Sequence, residues 1–202
     1  MQNISDCAVI VAHPDDETLW AGGIILMNPQ IQWTVITLCR KSDPDRAPKF
    51  FKAIAELGAN GAMGNLDDGP DQKPLDEPHV QREILKLLPS RQFDLIITHG
   101  LHGEYTRHLR HEETASAVLA LWKSSKLSSK QLWTFAYSDN GGSQLPQAAE
   151  NPDLLLNLPN KVWQNKYNII TNIYGFSPDS FEAKVTPKNE AFMYMEKEKP
   201  LS

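Results

Sequence analysis

Cys7 to Ala12 is an unbroken apolar run rich in valine and isoleucine, and it constrains the fold more than any other feature of the chain. A strand with one wet face alternates apolar and polar residues. A run without that alternation belongs to a strand covered on both faces. Covering both faces takes helices on either side of a sheet, and the sequence supplies them. Trp33 to Cys39, Leu95 to Thr98 and Gln131 to Tyr137 read as further strands. Thr18 to Met27, Phe50 to Leu57, Val80 to Leu88 and His111 to Trp122 read as the helices between them. Gly58 is a C-cap signal, whereas Gly22 and Gly23 weaken the first helix. Strands and helices alternating at this spacing imply right-handed crossovers and a Rossmann-like, three-layer α/β fold with a mainly parallel sheet.

The chain has 202 residues and is expected to form one domain spanning 1–202. Gly64 to Pro78 and Ser138 to Pro159 read as loops, the former overhanging the site. Lys161 to Tyr174 reads as a helix and Glu196 to Ser202 as a frayed end.

Ligands of such sheets bind beyond the carboxyl ends of the strands. Two polar clusters fall there. The first is His13-Pro14-Asp15-Asp16-Glu17, directly after the first strand. A histidine and an aspartate three residues apart can turn toward one point, and both are ordinary zinc ligands. Asp15 lies between them and need not bind the metal; a free carboxylate there suits a general base acting on a metal-bound water. Helix capping alone asks for one acid, while three acids in a row repel one another unless a cation balances them. The second cluster runs from His102 to His111. His108 and His111 share one face of a helical turn. One of them completes a His-Asp-His metal site, and the other donates a proton or stabilises an oxyanion.

These residues resemble the GlcNAc-phosphatidylinositol de-N-acetylase-like (PIG-L or LmbE-like) family of zinc deacetylases. Ala12 to Glu17 matches the signature AHPDDE in full, and Gly22-Gly23 its following glycine pair. Gly103-Glu104-Tyr105 with His108 to His111 is similar to the second motif, G-E-Y-G-H-P-D-H. Leu66 to Gly69, Arg46 with Leu57-Gly58, and Glu190-Ala191-Phe192 are weaker likenesses. The resemblance implies metal ligation by His13, Asp16 and His111. It implies a general base at Asp15 and a general acid or oxyanion stabiliser at His108. Arg46 and Asp68 fall at substrate-binding positions, and Tyr105 is expected to bind substrate from the rim of the pocket. The chain departs from the pattern at Thr106-Arg107, where one glycine is usual, at Leu109-Arg110, where Pro-Asp is usual, and at Lys49 in place of an acid. The expected activity is zinc-dependent removal of an acetyl group from an N-acetylated amino sugar, with hydrolysis of another small amide, or sugar binding without turnover, as alternatives. Nitrogen and oxygen ligands admit iron as well as zinc.

Charge and cysteine content narrow the setting. Twenty basic and 25 acidic residues give a net charge of -5, which argues against a nucleic-acid partner. A small amide or sugar substrate is expected, and assembly into a homo-oligomer is left open. Gly22 and Gly23 do not form a dinucleotide fingerprint. Cys7 and Cys39 sit in apolar runs and do not suggest a disulfide framework. No signal peptide or membrane-spanning stretch is read, so a cytoplasmic protein is expected. His99 is expected as a structural or supporting group at a strand end, His79 on an exposed helix, and the tryptophans in packing.

Overall fold

The computed structural model describes residues 4–71, 73–105 and 108–196. The Thr106-Arg107 step of the second motif, and most of the end segment expected to fray, lie outside them.

The chain runs β1 (Asp6–Val11), α1 (Asp16–Met27), β2 (Gln32–Cys39), α2 (Arg46–Leu57), β3 (Asn60–Leu66), α3 (Glu77–Leu87), β4 (Gln92–Thr98), α4 (Leu109–Lys123) and β5 (Ser128–Phe135). A small hairpin, β6 (Tyr137–Ser138) and β7 (Gln147–Ala148), precedes β8 (Leu154–Asn157). Helix α5 (Asn160–Asn168) continues into a π-turn, Ile169–Ile173, followed by α6 (Phe181–Val185) and β9 (Asn189–Met195). One sheet takes seven strands in the order β3-β2-β1-β4-β5-β9-β8. The first five are parallel, and β9 and β8 are antiparallel. The α/β, mainly parallel fold expected from the sequence is the fold observed.

Strand β1 is buried on both faces, as its composition requires. Cys7, Val9 and Val11 face a core with Trp20, Ile24 and Ile170, while Ala8 and Ile10 face a second core with Val80, Ile84, Val118 and Leu121. The chain builds outward from β1 to β3, then crosses back to place β4 on the other flank of β1. That reversal opens a crevice at the carboxyl ends of β1 and β4, the usual ligand position in such sheets. Both polar clusters follow those two strands.

Three stretches differ from the sequence reading. Asn60-Gly-Ala-Met-Gly-Asn-Leu66 has poor strand propensity, yet it forms β3 because pairing with β2 outweighs propensity at a sheet edge. Its last residues belong to the segment expected as loop. Leu154–Asn157, also expected as loop, forms the opposite edge strand by pairing with β9. Lys161 to Tyr174 is not one regular helix, because the backbone widens into the π-turn after Asn168.

The glycine pair in α1 has a packing reason. Glu190 on β9 is buried and accepts hydrogen bonds from the N–H groups of Gly23 (2.6 Å) and Ile24 (2.8 Å) and from Lys166 Nζ (2.6 Å). A Cβ on Gly23 would lie 2.4 Å from Leu158 and 2.9 Å from Glu190, whereas one on Gly22 meets only Lys166 and Thr18 at 3.5 Å. Gly23→Ala is therefore expected to destabilise the fold by about 1–3 kcal/mol through overpacking. Gly22→Ala is expected to be neutral or stabilising, since alanine favours helix by about 1 kcal/mol over glycine. Urea denaturation of the two variants checks the pair; equal effects would refute the packing account.

Candidate metal centre

The turn after β1 carries the first cluster in a constrained backbone. Asp15 has φ 111° and ψ −31°, a conformation costing a non-glycine residue about 1–3 kcal/mol. Its N–H donates to Glu17 Oε2 (3.0 Å), and its carbonyl accepts from the N–H groups of Thr18 (2.9 Å) and Leu19 (2.8 Å). Glu17 is buried, and its Oε1 accepts from Thr18 Oγ1 (2.6 Å) and Tyr174 Oη (2.7 Å). The Asp15 side chain makes no capping hydrogen bond to α1. It meets Arg46 Nη1 at 3.2 Å instead, so the carboxylate is held over the crevice and not used to end a helix.

Asp16, His13 and His111 form a triangle. His13 Nδ1 lies 3.3 Å from Asp16 Oδ2 and 3.2 Å from His111 Nε2, and His111 Nε2 lies 3.3 Å from Asp16 Oδ2. A tetrahedral shell with bonds of about 2.0–2.1 Å has edges of about 3.3–3.4 Å, so the donors are spaced as one face of such a shell. The outer nitrogen of each ring is fixed by a carboxylate. His111 Nδ1 donates to Glu104 Oε2 (2.6 Å), and His13 Nε2 donates to Asp68 Oδ1 (3.1 Å). Each hydrogen bond leaves a lone pair on the nitrogen facing the triangle, the arrangement that supports metal-bound imidazoles. Burial disfavours charge on both rings, yet the Asp16 carboxylate outweighs it and raises both pKa values. The same imidazoles hold Asp16 well below the usual carboxylate range despite its burial. The triangle is built to hold positive charge, and its donor set fits a divalent zinc or iron ion.

The surroundings assign further places. Glu104 is fully buried; besides His111, its Oε2 accepts from His99 Nδ1 (2.9 Å), and its Oε1 from the Gly100 N–H (2.9 Å). Burial works against a charged His99, and Glu104 and Asp16 outweigh it, raising the pKa to about 9. The Ala12 N–H nevertheless donates to His99 Nε2 (2.9 Å), occupying the position of a second proton, so we assign a neutral ring. His99 is thus the supporting group expected from the sequence. For Asp15, burial and then the Asp16 charge push the pKa well above the usual range, with Arg46 opposing.

His108 stacks on His111 with ring centroids 4.4 Å apart, and its buried Nδ1 has no hydrogen-bond partner among the described residues. Burial, then His111 and His13, push its pKa down to about 3, so the ring is neutral. Arg110, which replaces the usual acid beside it, turns away from the site. It is buried and donates to the carbonyls of Asp67 (2.5 Å) and Lys73 (2.8 Å) and to Glu113 Oε2 (2.5 Å). Arg110 thereby ties α4 to the loop that carries Asp68.

His13, Asp15, Asp16, Arg46, Asp68, Tyr105 and His108 line one cleft of about 270 Å³, with buried His111 behind it. All eight residues singled out from the sequence thus come together. Tyr105 sets its ring edge-on to His111 (5.4 Å) and His108 (5.9 Å). Asp68 gives one oxygen to His13 and the other to Arg40 (2.6 and 2.7 Å), so both face protein. Arg40 and Glu182 also line the cleft and were not foreseen. Glu104, an acid of the second motif that could stand in for the missing aspartate behind a histidine, supports His111 and His99 and not His108. Trp163 lies outside this cleft, its indole donating to the Thr186 carbonyl.

Comparison with known proteins gives the family and the fold. The model of the PIG-L family, described as GlcNAc-PI de-N-acetylase, matches residues 8–122. The chain is similar to N,N'-diacetylchitobiose deacetylase from Pyrococcus horikoshii, with a TM-score of 0.73 and 14% identity over 96% of this chain and 85% of that one. It is similar to the zinc-inhibited form of teicoplanin deacetylase Orf2, at 0.69 and 12% over 98% and 100%. It is also similar to GalB, the 4-carboxy-2-hydroxymuconate hydratase of Pseudomonas putida, at 0.64 and 14% over 98% and 99%. At these identities the structural likeness is one of fold.

Glu104→Gln tests the support behind the triangle. An amide in place of the carboxylate sets an N–H against an imidazole N–H or leaves a weaker acceptor. Metal affinity is expected to fall about 10–100-fold, read by competition with a chromophoric chelator while circular dichroism follows the fold. Unchanged affinity would separate Glu104 from ligand orientation.

Proposed function

The chain belongs to the PIG-L family of GlcNAc-PI de-N-acetylases, and on that premise we propose that it removes the acetyl group from a small N-acetylated amino sugar or its conjugate, with zinc held by His13, Asp16 and His111. The observation that carries this reading is the triangle of donors 3.2–3.3 Å apart with the Asp15 carboxylate poised beside it, bound to no helix end. A zinc ion there supplies Lewis acidity toward a carbonyl oxygen and lowers the pKa of a coordinated water.

The chain's own groups do the rest. Asp15, kept in place by Arg46 and by its constrained backbone, takes the proton of the attacking water and returns it to the departing nitrogen. His108 is neutral and lines the cleft, and the N–H of its ring suits a hydrogen bond to the oxyanion of the tetrahedral intermediate. Tyr105 closes the side of the cleft. Arg46 borders the bound sugar, and Asp68 acts mainly by orienting His13.

The hydratase of the same fold is a reminder that a fold does not select a reaction. Family membership and the free carboxylate beside the donors favour amide hydrolysis. The alternative of sugar binding without turnover drew on Arg110, and that guanidinium is committed to the loop, away from the cleft. Among the described residues no helix is long and apolar enough to cross a membrane, in keeping with a small-molecule substrate met in water.

Metal analysis combined with acetate release across a panel of N-acetylglucosamine derivatives tests the reading. Asp15→Asn is expected to keep its metal and to slow turnover about 10²–10⁴-fold. Wild-type rates in that variant would refute the base. His13→Ala and His111→Ala are expected to lose metal and activity together, and a full metal complement in either would show the site to be misplaced. Hydrolysis of an unrelated amide with no acetate released from any amino sugar would refute the substrate class.

A further inference from the structure

Glu182 is the second residue of α6, a short helix opened by Ser180, whose Oγ accepts from the Ala183 N–H (3.1 Å). Its neighbour Phe181 packs edge-on against Tyr105 with ring centroids 5.1 Å apart, which seats α6 on the cleft wall. Glu182 lines the cleft with His13, Asp15, Tyr105 and His108. Its backbone carbonyl is occupied by Thr186, while its carboxylate meets no hydrogen-bond donor or cation among the described residues.

The other charges of the cleft are committed. Arg46 faces Asp15, Arg40 holds Asp68, and Asp16 belongs to the triangle. Among the described residues of the cleft, four carboxylates (Asp15, Asp16, Asp68 and Glu182) stand against two guanidiniums. A bound divalent cation brings that balance to neutrality and leaves no surplus of positive charge to hold an anion. Among the described charged groups of the cleft, the one left uncommitted, Glu182, is an acceptor, which pairs with hydroxyls or an ammonium and repels phosphate or carboxylate.

We propose that Glu182 forms a subsite that accepts hydrogen bonds from the hydroxyl or ammonium groups of the substrate, so that the cleft selects neutral or cationic amino sugars over those bearing a phosphate close to the reacting nitrogen. This rests on the deacetylase reading above and adds to it the charge of the substrate. Residues 181 and 182 lie beyond the segment matched by the family model, so this preference belongs to the chain's own C-terminal part.

Binding is measured first, without turnover. Calorimetry on the metal-loaded protein compares glucosamine with its 1-phosphate and 6-phosphate esters. Glucosamine is expected to bind at least about tenfold tighter than either ester, the size of one like-charge contact a few ångströms apart in a partly solvated cleft. Glu182→Gln is expected to narrow that ratio to within about threefold, with metal content unchanged. Acetate release from N-acetylglucosamine and its phosphate esters is then expected to follow the same order in kcat/KM. Tighter binding of an ester, or a ratio that Glu182→Gln leaves unchanged, overturns the subsite. Preference for glucosamine without acetate release from any substrate sustains the subsite and refutes deacetylation, whereas acetate release with a preference for the esters does the reverse.

Discussion

The carboxylate of Asp16 is the point on which the site is arranged. Its Oδ2 accepts the His13 N–H at 2.8 Å and lies 3.3 to 3.5 Å from nitrogens of His13, His111 and His99. So many lone pairs around one buried oxygen are tolerable only if a cation or protons stand between them. Everything nearby serves that condition. Glu104 and Asp68 fix the outer nitrogens of the two ligand rings, the Ala12 N–H fixes His99, and the crevice between β1 and β4 brings distant segments onto one carboxylate.

A second layer of contacts keeps this arrangement from relaxing. Arg110 and Glu113 bridge α4 to the loop before α3, since Glu113 Oε1 accepts the Leu75 N–H at 2.7 Å while Arg110 grips the carbonyls of Asp67 and Lys73. Asp68 sits on that loop and orients His13. Arg110, a departure from the second motif's usual pattern, thus acts in the scaffold, one step removed from the triangle.

Much of this was legible in the sequence because local rules and the global fold agree. The unbroken Cys7–Ala12 run implied a doubly covered strand, and AHPDDE at its end put two candidate donors and a carboxylate between them at the mouth of the crevice. His111 could be paired with them because β1 and β4 are neighbours in any sheet of this winding. Edge strands were harder. Asn60–Leu66 and Leu154–Asn157 owe their conformation to partners and not to their own composition. Asp68 read as a sugar contact because its motif says only that it is near the site, and a hydrogen bond to a ring nitrogen leaves no trace in spacing. Glu182 carried no signal at all. It stands in a stretch of ordinary polarity, and only the docking of Phe181 on Tyr105 brings it to the cleft.

The bond between Tyr174 and Glu17 joins residues 157 positions apart. The strained turn at Asp15 is braced through it by a tyrosine just past a π-turn near the far end of the chain. The turn that carries His13, Asp15 and Asp16 thus depends on a residue far along the chain. Removing the Tyr174 hydroxyl would undo that bond, so the geometry beside the triangle is sensitive to a residue that lies outside the cleft.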